Sequence, residues 1–124
     1  MFEESDEEGA LTPLEAAVKR TQTTLGSIVK TPVLTDKHLA RPPFRFIFDI
    51  VAEVTAQTGF LAGELPGMPT DKPGRVEYLT ALISLVNAAR SGAVDADPLK
   101  IIAGLEPGNT NVLLQELHAA AANL

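Results

Sequence analysis

The chain has no cysteine, no tryptophan, a single tyrosine and only two histidines, His38 and His118. Without cysteine there can be no disulfide framework, no thiol nucleophile and no cysteine-ligated zinc or iron–sulfur centre. Two histidines are too few for a three-histidine metal site. No apolar run approaches the ~20 residues of a membrane-spanning helix. The first residues are acidic where a secretion signal would be basic, and no stretch alternates apolar and polar residues as a half-buried strand does. Together these absences predict a soluble, cytosolic protein. With 124 residues, 45% of them hydrophobic, it can bury one core without staples.

Charge, by contrast, is abundant and unevenly placed. The formal net charge is −6, and residues 1–9 alone hold five carboxylates and no base. Residues 16–45 hold Lys19, Arg20, Lys30, Lys37, Arg41 and Arg45 against Asp36 alone, whereas residues 49–124 carry nine acids and four bases. A domain polarised in this way points to a charged partner. Residues 1–11 read as a flexible acidic tail. Within it Ser5 precedes Asp6-Glu7-Glu8, the flank an acid-directed kinase prefers. A tail of that sign is also suited to mask the basic segment internally.

From Thr12 onward the periodicity is helical and the expected class is all-α. Thr12-Pro13-Leu14-Glu15 has a capping threonine, proline at the first helical position and glutamate at the third. Leu14, Val18, Thr21, Leu25 and Ile28 then share one stripe, and Thr31-Pro32 is the expected stop. On such a helix Lys19 and Lys30 would lie on one outward face, about 16 Å apart. Thr35 caps a single turn, Asp36–Ala40, and Arg41-Pro42-Pro43 launches a central helix. That helix carries Phe44, Ile47, Phe48, Ile50, Val51 and Val54, and Gly59 ends it. Leu61 to Pro73 reads as a surface loop, with three prolines and two glycines. A second central helix is expected from about Gly74 to Ser91, bearing Val76, Leu79, Leu82, Ile83, Leu85, Val86 and Ala89. Asp97-Pro98 opens a short helix ending near Gly104. A last helix follows the turn Pro107–Thr110, with Leu113, Leu114, Leu117 and Ala121 inward. The sum is four substantial helices and two short ones.

No catalytic group stands out. His38 sits in a basic, loop-like stretch, and His118 lies at the edge of the last helix's inner face. Asp95 and Asp97 lack the glycine and twelfth-position glutamate of a calcium loop, and Asp97 is better used as a cap. No strand exists to carry a phosphate-binding glycine loop. No catalytic, cofactor-binding or metal-ligating residue is therefore assigned. Nucleic acid fits poorly, because the rest of the chain is acidic. Membrane insertion fits poorly too, because the basic face is sparse. An acidic protein surface suits the basic segment best. Arg45 can pair with Asp49 one turn later, and Arg90 is placed to answer its helix dipole.

Three segments are familiar when met in this order. They are Arg20-Thr21-Gln22 with Leu25-Gly26, then Pro32–Lys37 running into Arg41-Pro42-Pro43-Phe44-Arg45 and its apolar run to Ile50, and later Ile101–Pro107 with Thr110-Asn111 and Leu113-Leu114-Gln115. Over roughly residues 14–122 the chain resembles the N-terminal calponin-homology domain of the intraflagellar transport protein 54 family. These complex B subunits are also described as microtubule-interacting proteins. The resemblance implies a calponin-homology domain over residues 12–124 that binds tubulin or microtubules, with no cofactor and no enzymatic activity. It implies ciliary and basal-body localisation, and contact with other complex B subunits through a coiled coil outside this chain. This segment would then be an excised domain, monomeric by itself. The family's basic positions carry over to Arg20, Lys30, Lys37, Arg41 and Arg45, and the charge pattern adds Lys19. Thr31 and Ala40 stand where relatives often have another base. The alternative is an adaptor that holds a motor or signalling partner without touching tubulin, with the 61–73 loop and the acidic half as its candidate surfaces.

Overall fold

The computed structural model describes residues 11–92 and 94–123, so the acidic tail and Ser5 lie outside the described residues. Within them there are six helices and no strand: α1 (Pro13–Leu25), α2 (Asp36–Ala40), α3 (Phe44–Thr58), α4 (Lys72–Arg90), α5 (Pro98–Ala103) and α6 (Pro107–Ala122). The all-α expectation, with four long helices and two short ones, holds.

Local chemistry sets most boundaries as expected. Thr12 and Glu15 form the reciprocal box that opens α1: the Glu15 N–H donates to Thr12 Oγ1 at 3.0 Å, and the Thr12 N–H donates to Glu15 Oε1 at 2.9 Å. Thr35 caps α2 through the His38 N–H at 3.1 Å. Gly59 closes α3 at φ 83° and Gly104 closes α5 at φ 77°, the left-handed region open to glycine at little cost. Helix α4 starts at Lys72 rather than Gly74, because Asp71 is the cap, its Oδ1 accepting the Gly74 N–H at 2.9 Å.

The hub of the bundle is α6, which touches α1, α2, α3 and α4. Buried residues fall nearly all round it: Thr110, Asn111, Leu113, Leu114, Leu117, Ala120 and Ala121. Against it sit Val18 and Leu25 of α1, Ile47, Ile50, Val51 and Val54 of α3, and Leu79, Leu82 and Val86 of α4, all in one core. Ala89 shares the α4 stripe yet is exposed in its last turn, since periodicity sets direction but not where the neighbours end. The 61–73 segment is less free than a surface loop: Leu61 is buried and Leu65 packs against the core.

One boundary differs in a way that matters. Helix α1 ends at Leu25, not at Thr31. Beyond Gly26 the backbone tightens into a turn, with the Ile28 N–H donating to Leu25 O at 3.0 Å. Lys30 lies past that end, and its Nζ donates to Gly26 O at 2.7 Å. Lys19 and Lys30 thus share no helical face; Lys30 instead answers a carbonyl at the α1 C-terminus, where a cation is favoured.

Candidate functional site

The basic segment runs through α1, the following loop, α2 and the start of α3. Its course is fixed by a buried polar network that links α1 and α2 to α6. Thr21 Oγ1 lies 2.8 Å from Asn111 Oδ1, and Asn111 Nδ2 donates to Leu39 O at 2.8 Å and to Pro107 O at 2.9 Å. Gln115 Nε2 donates to Ala17 O at 3.1 Å and Thr21 Oγ1 at 3.2 Å. Thr21 and Asn111 are fully buried, where an unpaired polar group would be costly. On the outer side Gln22 Nε2 donates to Leu34 O and to Asp36 Oδ1, both at 2.8 Å, and so fastens the loop before α2 to α1.

All six candidate bases are exposed on this frame. Lys19 and Lys37 come together: both line a groove of about 500 Å³ between the start of α1 and α2, over Leu11, Leu14, Val18 and Ala40. Arg20 follows Lys19 on α1. The other three each have a local partner. Lys30 is bent onto Gly26, and Arg45 Nε pairs with Asp49 Oδ1 at 3.1 Å on the α3 surface. Arg41 lies across Gly104, its Cζ and Nη2 3.0 Å from where a β-carbon on residue 104 would stand. Glycine at 104 therefore serves twice, for its left-handed φ and for the guanidinium above it.

Elsewhere, Arg90 Nε pairs with Glu116 Oε1 at 2.8 Å, tying α4 to α6 rather than only answering its own helix dipole. His38 stacks on Phe46 with ring centroids 5.0 Å apart, and its Nδ1 lies 3.0 Å from Thr35 Oγ1. His118 is half-buried on α6. Among the described residues no three His, Asp or Glu side chains gather as a metal would require. No helix there is long and apolar enough to cross a membrane. A shallower groove of about 650 Å³ follows the outer side of α4, lined by Asp71, Glu77, Thr80 and Ser84. Sequence reasoning gave no role to Gln22, Asn111 or Gln115; their place in the segments that carry the family resemblance was the available signal.

The six helices of the described residues form a calponin-homology-like domain. Residues 17–123 match the family model described as "Microtubule-binding protein MIP-T3 CH-like domain", and the chain belongs to that family. It is 38% identical over 115 residues to TRAF3-interacting protein 1 of Danio rerio, covering 88% of this chain and 18% of that protein. The corresponding protein of Mus musculus is 40% identical over 106 residues, which are 81% of this chain and 17% of the relative. The chain therefore spans less than a fifth of the length of these curated relatives.

Proposed function

We propose that this domain is a non-enzymatic tubulin- or microtubule-binding module that meets acidic tubulin through a face centred on Lys19 and Lys37. Arg20, Lys30, Arg41 and Arg45 are the other exposed bases of the segment and contribute less. The observation that carries the reading is membership of a family described as microtubule-binding, in a chain where Lys19 and Lys37, which enter no ion pair among the described residues, line one groove. Exposed ionic contacts contribute about 0.2–1 kcal/mol each, so several act together and the on-rate is salt-sensitive. Within a longer protein such a module would serve an intraflagellar-transport complex B subunit at the cilium or basal body, other subunits being held by regions outside residues 1–124. Residues 12–124 form the binding domain in this reading.

The test is direct binding of the 124-residue chain to soluble tubulin and to microtubules across a salt series. Reversing both groove lysines (Lys19→Glu with Lys37→Glu) is expected to weaken binding roughly tenfold at low salt, on the scale of two exposed ion contacts reversed, with unchanged helix content. Binding that survives this pair intact would move the site elsewhere. A second reading has its own support: the relatives are named for interaction with TRAF3, a partner other than tubulin. An adaptor of that kind would use the segment between α3 and α4, and altering that segment would abolish partner capture while sparing tubulin.

A further inference from the structure

The groove between α1 and α2 has a complementary segment in the same chain. Its floor is apolar, made by Leu11, Leu14, Val18 and Ala40, and Glu15, Lys19, Asp36 and Lys37 supply its charges. The two carboxylates are answered locally. Glu15 accepts the Thr12 N–H in the first turn of α1, and Asp36 accepts the Gln22 side-chain amide in the first turn of α2. Each sits where the partial positive charge of a helix N-terminus offsets it. Lys19 and Lys37 enter no ion pair among the described residues, so the cationic charge is what the groove offers outward.

Leu11 and Thr12 themselves line this groove, so the segment that precedes Leu11 in the chain is tethered beside it. They bring five carboxylates, at Glu3, Glu4, Asp6, Glu7 and Glu8, and two large apolar side chains, Met1 and Phe2. An extended chain from Leu11 back to Phe2 reaches about 30 Å, enough to lay Phe2 anywhere on the floor. Tethering raises the effective concentration to the millimolar range, at which weak ionic contacts suffice.

We propose that the acidic segment 1–10 docks in cis in the α1–α2 groove, its carboxylates on Lys19 and Lys37 and Phe2 on the apolar floor. Docking stands on the groove alone. Its consequence, competition with tubulin for the two lysines, rests on the function proposed above.

A chain without native cysteine allows a single spin label at Ser5→Cys in the full 124 residues. The expected result is strong paramagnetic attenuation of the Val18, Lys19, Lys37 and Ala40 amide signals. It should be lost with Lys19→Glu plus Lys37→Glu, and lost on raising salt to about 0.5 M. Attenuation confined to residues 11–15 and indifferent to the reversal would overturn docking. Attenuation that disappears when labelled chain is diluted into unlabelled chain would assign the groove to a second copy and overturn docking in cis. Deleting residues 1–10, which leaves the Thr12–Glu15 box intact, then tests competition. If the groove is filled about nine-tenths of the time, tubulin affinity rises about tenfold. Unchanged affinity beside intact attenuation overturns the competition and sustains the docking. Failure of both chains to bind tubulin overturns the proposed function, with docking still decided by the label.

Discussion

Asn111 uses both ends of its amide at the centre of the molecule, accepting near Thr21 and donating to Leu39 O and Pro107 O. Leucine at that position would match its volume but leave the Leu39 carbonyl of α2 without this donor and take one acceptor from the Thr21 hydroxyl, which keeps Ala17 O and Gln115 Nε2. A stranded buried carbonyl costs about 1–3 kcal/mol and a lost hydrogen bond about 1 kcal/mol, so Asn111→Leu should lose roughly 3 kcal/mol. For a domain of this size that is a fall in Tm of roughly 10 °C, read by calorimetry. The single residues of this kind were the least legible in the sequence. Thr21 read as one more position on an apolar stripe, and nothing local tells Asn111 that its partner lies 90 residues away. Helical periodicity reports a residue's direction; a hydrogen bond between distant elements has no period to detect.

Whole elements were far more legible, because their signals are local. The Thr12–Glu15 box, the Thr35 and Asp97 caps and the Gly59 and Gly104 stops each act within about one turn, and all stand where sequence placed them. The exception is the end of α1. Its apolar stripe continues through Ile28, which does pack against the core, but from a turn rather than from helix. The α3–α4 seam supplies a prediction at this scale. Tyr78 of α4 is buried, edge-on to Phe44 at 5.5 Å and tilted against Phe48 at 5.2 Å. Burial raises its phenol well above the ordinary value of 10.0. The neutral form is therefore favoured in the folded state, so this stability is fully present below pH 10 and is lost as pH rises beyond it. Because Tyr78 is the only tyrosine and tryptophan is absent, phenolate absorbance should appear together with loss of helical circular dichroism. Ionisation of a still-folded protein would contradict the seam as described.

At the scale of the molecule, the uneven charge seen along the chain becomes a surface with two kinds of base. Lys37 projects from a short helix into a groove shared with Lys19, while Arg41 lies across Gly104 at the C-terminus of α5, where a cation meets the negative end of the helix dipole. Sequence pattern put both in one list, since it counts charges but cannot see which of the exposed bases lie against another element. Substitution should separate them. Under the proposed function, Lys37→Glu is expected to weaken tubulin binding several-fold at low salt, on the scale of one exposed ion contact reversed, with no measurable change in Tm. Arg41→Ala removes an aliphatic stem and a dipole partner from the α2–α3 junction. It should lower stability by about 1 kcal/mol, a fall in Tm of roughly 4 °C, with a smaller loss of binding. Paired melts and binding curves at two salt concentrations check both. If Arg41→Ala abolishes binding at an unchanged Tm, Arg41 is central to the proposed contact, which then extends from the α1–α2 groove to the end of α5.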